Sequence, residues 1–396
     1  MNKRFKKLFF VAIVAIVSFL IALLVDYYFH KTKTDNNICY PPEKSMIIYH
    51  PSHPFIQYSG RFNFISDKQL FFTHSGCKIT VRFKGNRIFL LLKNYSTETR
   101  FFHSNYFNVF IDSLPPILLH ATNDSFLYRI ENLSDGIHTM TLFKRTEAAC
   151  GLIEFNGILL DSFSTLLKPP AKPKLKIEFV GNSITAGYGN EDTLNSRKFK
   201  PVNENHYFAY PAICARLLNA EFHSVCYSGK GVFRNYDKST TETLPILYTK
   251  IYPQKKNHWN FNSWQPDIIV VNAGTNDFGL GIPPADSFII AFTHFLIKIR
   301  KLNPNSKIII VDGPLLKDGL KTDSLTGAAV KTYSIYINYL KQAISNYKRA
   351  GYSNIYSFSF SPIGSLGYGT NWHPSVAQHE KNAEELVGFI KKLMEK

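Results

Sequence analysis

Three short segments of this chain carry side chains that together could cleave an ester. In Gly181-Asn182-Ser183-Ile184-Thr185 a serine follows the apolar run Leu175–Val180. In Gly274-Thr275-Asn276-Asp277 a carboxamide follows a second apolar run, Asp267–Asn272. Near the C-terminus, Asn371-Trp372-His373-Pro374 offers an imidazole. A serine hydroxyl is a weak nucleophile that needs a base. Amide donors stabilise the oxyanion that forms as it attacks a carbonyl. Serine, histidine and asparagine supply those parts. Each residue also has a plainer role open to it. Ser183 could cap the following helix, Asn276-Asp277 could be a turn, and His373 could be a loop residue held in extended geometry by Pro374.

A fourth segment, Tyr227-Ser228-Gly229-Lys230-Gly231-Val232-Phe233-Arg234-Asn235-Tyr236, brings glycines beside the others. In order and placing, the four resemble the block motifs of SGNH hydrolases. The details Gly-Asn-Ser-Ile-Thr, Gly-Lys-Gly and Trp-His-Pro-Ser narrow the resemblance to carbohydrate esterase family 2, over residues 45–396. The resemblance implies a two-domain enzyme that removes O-acetyl groups from carbohydrate, such as acetylated xylan or mannan, through an acyl-enzyme and without metal or cofactor. It implies Ser183 as nucleophile and His373 as base. The oxyanion hole would comprise the Ser183 amide, the Gly229 amide and the Asn276 side chain, with Gly231 competing for the second place. Trp372 and Tyr236 resemble aromatic positions that line the sugar cleft in that family, with core packing as the alternative role for Trp372. Arg234, Asn235 and Asp237 are polar candidates nearby.

One position departs from the wider pattern. Many SGNH enzymes carry Asp three residues before the histidine; here that residue is Thr370, and Asn371 is not ionisable. A backbone carbonyl can hold the second imidazole nitrogen, and several members of the resembled family use such a Ser-His dyad. Asp277 is expected to brace its own turn. His206 and His379 read as surface or supporting residues.

The elements that must position these groups fall into two sets. Residues 46–168 read as β throughout, with alternation in Lys78–Phe83, Phe107–Asp112 and His138–Phe143, a more buried run at Arg87–Leu92, and turn signals at Gly85-Asn86, Asn123-Asp124 and Asp135-Gly136. This suggests a sandwich or jelly roll. Lys144-Arg145-Thr146-Glu147 resembles a corner of the same esterase family. The proline-rich stretch 169–174 is a linker. Residues 175–396 alternate strand and helix: strands at Lys176–Val180, Phe222–Tyr227, Asp267–Asn272, Lys307–Asp312 and Asn354–Phe358, helices at Tyr207–Leu218, Asp286–Leu302, Ala328–Arg349 and Ser375–Met394. The expectation is a flavodoxin-like parallel sheet flanked by helices, with Leu217-Leu218 facing inward and Asp286 as an N-cap.

The N-terminus, residues 1–45, reads as anchor and stalk. Lys3, Arg4, Lys6 and Lys7 precede the uncharged run Leu8–Val25, at the short end for a transmembrane helix. A signal peptide is the rival reading, but no small-residue cleavage site follows. Either way the basic flank places the bulk of the chain outside the cytoplasm. The net charge of +17 is spread along the chain rather than massed in one arm, which argues against nucleic acid. The five cysteines form no CxxC pair, so structural zinc is not expected. Cys77 and Cys150 could pair; Cys214 and Cys226 read as small buried residues. An acyltransferase or lipase on the same scaffold, or a tethered glycan-binding protein with a vestigial site, are the competing functions. The oligomeric state is not written in the sequence.

Overall fold

The computed structural model describes residues 46–95, 104–195, 198–253, 257–313, 315–319 and 330–395. The Leu8–Val25 run and Cys39 lie outside them. Among the described residues, no helix is long and apolar enough to cross a membrane.

Up to Leu167, two antiparallel sheets face each other across one core. The first runs in the order Asn63–Ser66, Gln69–Phe72, Leu152–Asp161, Ile88–Tyr95, Leu127–Ile130, with Met46–Tyr49 also on Leu152–Asp161. The second runs Thr165–Leu167, Lys78–Lys84, Ile137–Lys144, Asn105–Ile111, Ile117–Ala121, with Gln57–Ser59 on Lys78–Lys84. Alternation decides which side chains point inward. In Lys78–Lys84, Ile79, Val81 and Phe83 are buried while Arg82 and Lys84 are exposed. The inward rows of both sheets, with Leu90, Leu92, Phe107, Val109 and Phe155 among them, make the core.

From Leu175 the chain builds a five-stranded parallel sheet in the order Ala220–Cys226, Leu175–Gly181, Ile268–Asn272, Lys307–Asp312, Ile355–Ser359. Helices on both faces bury the central strands, so these read as near-continuous apolar runs such as Ile268-Ile269-Val270-Val271. Ala285–Leu302 and Thr332–Arg349 pack with one apolar cluster; Tyr210–Leu217 and Val376–Met394 pack with the other. The strand order reverses between Leu175–Gly181 and Ile268–Asn272, and the crevice at the carboxyl ends of those two strands is where open α/β sheets hold ligands.

The two sets of elements share buried contacts. Phe143 packs with Ile177, Phe179, Tyr210 and Phe222 in one apolar cluster. Arg61 of the antiparallel part reaches Glu178 on the parallel strand Leu175–Gly181 at 2.7 Å, with both side chains buried.

Some local expectations need correction. Leu217 is 52% exposed; the buried face of its helix is instead Ala212, Ile213, Cys214 and Ala215. Asp286 lies inside the first turn of a helix that Pro284 precedes, so it faces the helix dipole without capping it. Cys77 and Cys150 are separate buried thiols, as are Cys214 and Cys226. Cys150 Sγ lies 3.8 Å from Glu204 Oε2 and Cys77 Sγ 3.9 Å from the Arg61 carbonyl.

Candidate active site

Strand register brings the sequence blocks together. Gly181 pairs with Cys226 on one side and Asn272 on the other. Three strands therefore end level, and the chain leaves them as Asn182-Ser183, as Tyr227-Ser228-Gly229 and as Ala273-Gly274-Thr275-Asn276. No Cβ could exist at Gly181: it would sit 2.0 Å from Thr185 Oγ1.

Ser183 opens a single helical turn, Ser183–Ala186. The cap is its neighbour: Asn182 Oδ1 accepts from the Ile184 amide at 3.0 Å. The Ser183 hydroxyl is thus not used for capping, and its amide, at the first helical position, has no carbonyl one turn back. Ser183 Oγ lies 2.8 Å from His373 Nε2.

On its other side, His373 Nδ1 lies 3.1 Å from both the Thr370 and Asn371 carbonyls. Carbonyls only accept, so Nδ1 carries the hydrogen and Nε2 is left as the acceptor facing the serine. The carbonyls converge because Asn371 and Trp372 both adopt left-handed backbone, at φ 49° and 63°. Asparagine tolerates that region and tryptophan does not, so roughly 1–2 kcal/mol of local strain is held here. Thr370 is fixed in turn. Its amide donates to the Gly189 carbonyl at 3.0 Å, and a side chain at Gly189 would strike Thr370 at 2.4 Å. Its hydroxyl donates to Asp192 at 3.1 Å. Burial lowers the His373 pKa to about 4, against the upward pull of the two carbonyls.

Tyr188 was not among the residues picked out from the sequence. Its ring lies 4.6 Å from the imidazole, centroid to centroid, and stacks on Phe199 at 4.1 Å. Asn371 Nδ2 donates to its hydroxyl at 3.3 Å. The signal was present in Gly187-Tyr188-Gly189, where an aromatic sits between two glycines a short distance beyond the serine.

Beyond the end of the neighbouring strand, Asn276 Nδ2 donates to the Lys230 carbonyl at 2.8 Å. A carboxamide has two N–H donors, so this bond fixes the group and leaves the second. Asp277 was expected to brace its own turn and instead organises the neighbouring loop. Its carboxylate accepts from the amides of Val232, Phe233 and Arg234 at 2.9, 2.7 and 2.9 Å. Burial raises its pKa to about 6, so it remains ionised at neutral pH. The two glycines of the loop divide the work. A Cβ on Gly231 would lie 1.9 Å from the Arg234 carbonyl and 2.5 Å from Asp277, so its smallness permits the loop to close. Gly229, at φ 74°, has nothing within 4 Å of where a Cβ would be, so its backbone borders open space.

The polar candidates beyond Gly231 serve the same loop. The Arg234 guanidinium donates to the Asp277 and Gly281 carbonyls at 2.9 and 2.7 Å. Asn235 is buried and donates to Ser239 Oγ and the Thr241 carbonyl. Asp237 accepts from the Ser239 amide and hydroxyl, which hold its carboxyl below the ordinary range. Two aromatics do face solvent. Trp372 is 59% exposed with its ring 5.2 Å from that of Tyr368, and Tyr236 is 52% exposed and lies against Gly279. His206 and His379, read from the sequence as surface or supporting residues, are fully buried, which excludes the surface role. His206 bonds the Ala186 carbonyl and Ser224, and His379 accepts from the Tyr210 amide. Among the described residues, no group of three or more His, Cys, Asp or Glu side chains is arranged to hold a metal.

Comparison with known proteins bears on both parts of the chain. Residues 58–170 match the carbohydrate esterase 2 N-terminal family and residues 179–381 the GDSL-like lipase/acylhydrolase family. The structure of a family two carbohydrate esterase from Clostridium thermocellum, in complex with cellohexaose, superposes with a TM-score of 0.75. It is 30% identical, over 86% of this chain and 99% of that one. The chain belongs to carbohydrate esterase family 2. Among curated relatives, the cellulase/esterase CelE of Acetivibrio thermocellus is 33% identical over 86% of this chain, which spans only 39% of that longer protein. An acetylxylan esterase / glucomannan deacetylase of Cellvibrio japonicus is 27% identical over 87% of this chain and 90% of its own length. The first match ends within the proline-rich stretch and the second begins at Phe179, and between them they cover the four blocks that carry the candidate site residues.

Proposed function

We propose that this family 2 chain is a serine esterase that removes O-acetyl groups from carbohydrate. The observation that carries the reading is the 2.8 Å contact of Ser183 Oγ with His373 Nε2, whose other nitrogen two carbonyls hold. Relatives named as acetylxylan esterases and a relative complexed with cellohexaose support acetylated glycan as the substrate class.

In the proposed sequence, Ser183 Oγ attacks the acetyl carbonyl as His373 Nε2 takes its proton. Negative charge gathers on the former carbonyl oxygen and is met by the Ser183 amide, the Gly229 amide and the free N–H of Asn276. Collapse expels the sugar hydroxyl, protonated by His373. Water, activated by the same imidazole, then releases acetate and restores Ser183. Every step uses groups of this chain, with no cofactor. The exposed rings of Trp372 and Tyr236 offer flat apolar faces for a pyranose. Arg234 and Asn235 act on substrate indirectly, by holding the loop.

Acetate release from acetylated xylan, glucomannan and cello-oligosaccharide, set beside hydrolysis of p-nitrophenyl esters of rising chain length, tests the reading. Acetyl preference and glycan deacetylation are expected. Preference for long acyl chains would favour a lipase. The finer architecture belongs to the same proposal: a jelly-roll domain over 46–168, the linker 169–174, and the hydrolase domain over 175–396. The Lys3–Lys7 flank and Leu8–Val25 run support a membrane-anchored, extracytoplasmic enzyme. Full-length protein in washed membranes is the expected result, and a shortened soluble form would indicate a cleaved leader.

A further inference from the structure

The corner between the last long strand of the second antiparallel sheet and the turn Ala148–Cys150 is charged and buried. Lys144, Arg145, Glu147 and Glu204 all lie there, the last contributed by the hydrolase part. Buried charge on this scale is expensive unless it is fully engaged, and nearly all of it is. Lys144 Nζ donates to the Thr146 and Glu147 carbonyls at 2.6 and 3.2 Å. The Glu147 amide donates to Glu204 Oε2 at 2.8 Å. Arg145 reaches Glu191 and the Val202 carbonyl. Ala148 beside it joins the apolar cluster of the hydrolase part, with Val225, Tyr227 and Val232.

One bond leaves this cluster toward the site. Glu147 Oε2 accepts the Ser228 amide at 2.7 Å. Ser228 precedes Gly229, whose left-handed backbone borders open space. The other side of the loop is tied elsewhere: the Gly229 carbonyl accepts from the Tyr236 amide at 2.8 Å, and the Lys230 carbonyl is held by Asn276. Glu147, a side chain of the antiparallel domain, thus holds the Tyr227–Ser228 peptide, and the Tyr236 amide holds the Gly229–Lys230 peptide, so the Ser228–Gly229 peptide between them, which carries the Gly229 amide, is set from both ends. A misplacement of about 1 Å in an oxyanion donor is enough to lose most of its effect.

We propose that Glu147 is a positioning residue for the oxyanion hole, so that the antiparallel domain takes part in catalysis by aiming the Gly229 amide. This rests on the reading of Gly229 and Asn276 as oxyanion donors.

Steady-state kinetics on an acetyl ester, with circular dichroism and melting to verify the fold, test it in the full chain. Glu147→Ala should lower kcat by about 10²-fold, the loss typical of one oxyanion donor, with KM changed less than about threefold. Glu147→Gln keeps an oxygen for the Ser228 amide and should recover most of that loss. The double variant Glu147→Ala/Asn276→Ala should lose less than the product of the single losses, because both act on one charge. A folded Glu147→Ala protein with wild-type kcat, or losses that simply multiply with those of Asn276→Ala, would overturn the proposal while leaving the oxyanion hole standing. Wild-type kcat in Asn276→Ala itself would instead remove the reading on which the proposal rests.

Discussion

The Thr370 hydroxyl donates to the buried carboxylate of Asp192 at 3.1 Å, while the carbonyl of the same residue holds His373. Thr370 stands where many SGNH enzymes carry an acid, and the space its side chain fills is already bounded by a carboxylate. Restoring the acid is therefore expected to fail. Thr370→Asp would set two carboxylates together in a buried place, where they cannot both ionise. Turnover should fall at least tenfold, with a lower melting temperature. A rise in kcat would show that the imidazole lacks only an acid.

Asn371→Asp gives a contrast at the adjacent residue. Asn371 is exposed, and its left-handed backbone suits aspartate nearly as well as asparagine. Kinetics within about threefold of wild type are expected. Loss as deep as that of Thr370→Asp would mean that the Asn371 contact to Tyr188, not the carbonyls, holds the base.

The pH dependence follows from the His373 environment. Its pKa is lowered from 6.5 to about 4 by burial, and the base must be neutral to act. Activity is thus present above that pKa and lost as pH falls through it. Because the ring is only partly covered from solvent, the acid limb of kcat/KM should fall between about 4 and 6.5. Protonation of Asp277, at about 6, would loosen the loop inside the same window. An acid limb above 6.5 would contradict this account of the site.

Asp277 and Asp237 should separate cleanly. Asp277→Asn turns one of two accepting oxygens into a donor facing the backbone amides of residues 232–234. A buried donor left unmatched costs about 1–3 kcal/mol, so kcat should fall roughly 5- to 150-fold through disorder of the loop. Asp237→Asn touches only exposed local bonds and should be near neutral. Neither should approach the loss in Ser183→Ala or His373→Ala; an equal loss in Asp277→Asn would point to a direct role for that acid.

Much of this was legible in the chain because the chemistry is local to short blocks. The short β-branched run Ile268-Ile269-Val270-Val271 reads as a strand covered on both faces, and Ser375 caps the last helix as its type predicts, accepting from Gln378 at 3.2 Å. What escaped depends on contacts between distant segments. Nothing adjacent in sequence reports that Asp277 serves residues 232–234, or that Tyr188 lies on the imidazole. His206 and His379 carry no mark of burial, since their partners Ser224 and Tyr210 are brought to them by the fold. The inward turning of Leu217 failed because small residues, Ala212, Cys214 and Ala215, let that helix lie close to the sheet. Cys77 and Cys150 differ only in surroundings, and each is enclosed separately.

Arg61 also governs how the molecule comes apart. Its guanidinium lies over the neighbouring rings of Tyr248 and Phe261 and pairs with Glu178 on the parallel strand Leu175–Gly181. Breaking a buried ion pair of this kind by removing one partner costs about 3–5 kcal/mol, so separating the halves is opposed at Glu178. A protease cut within 168–174 should therefore leave a nicked complex that elutes as one particle. Calorimetry of the intact chain should record one endotherm rather than two. The two halves are joined by a seam, and neither is a cartridge that can be exchanged for another.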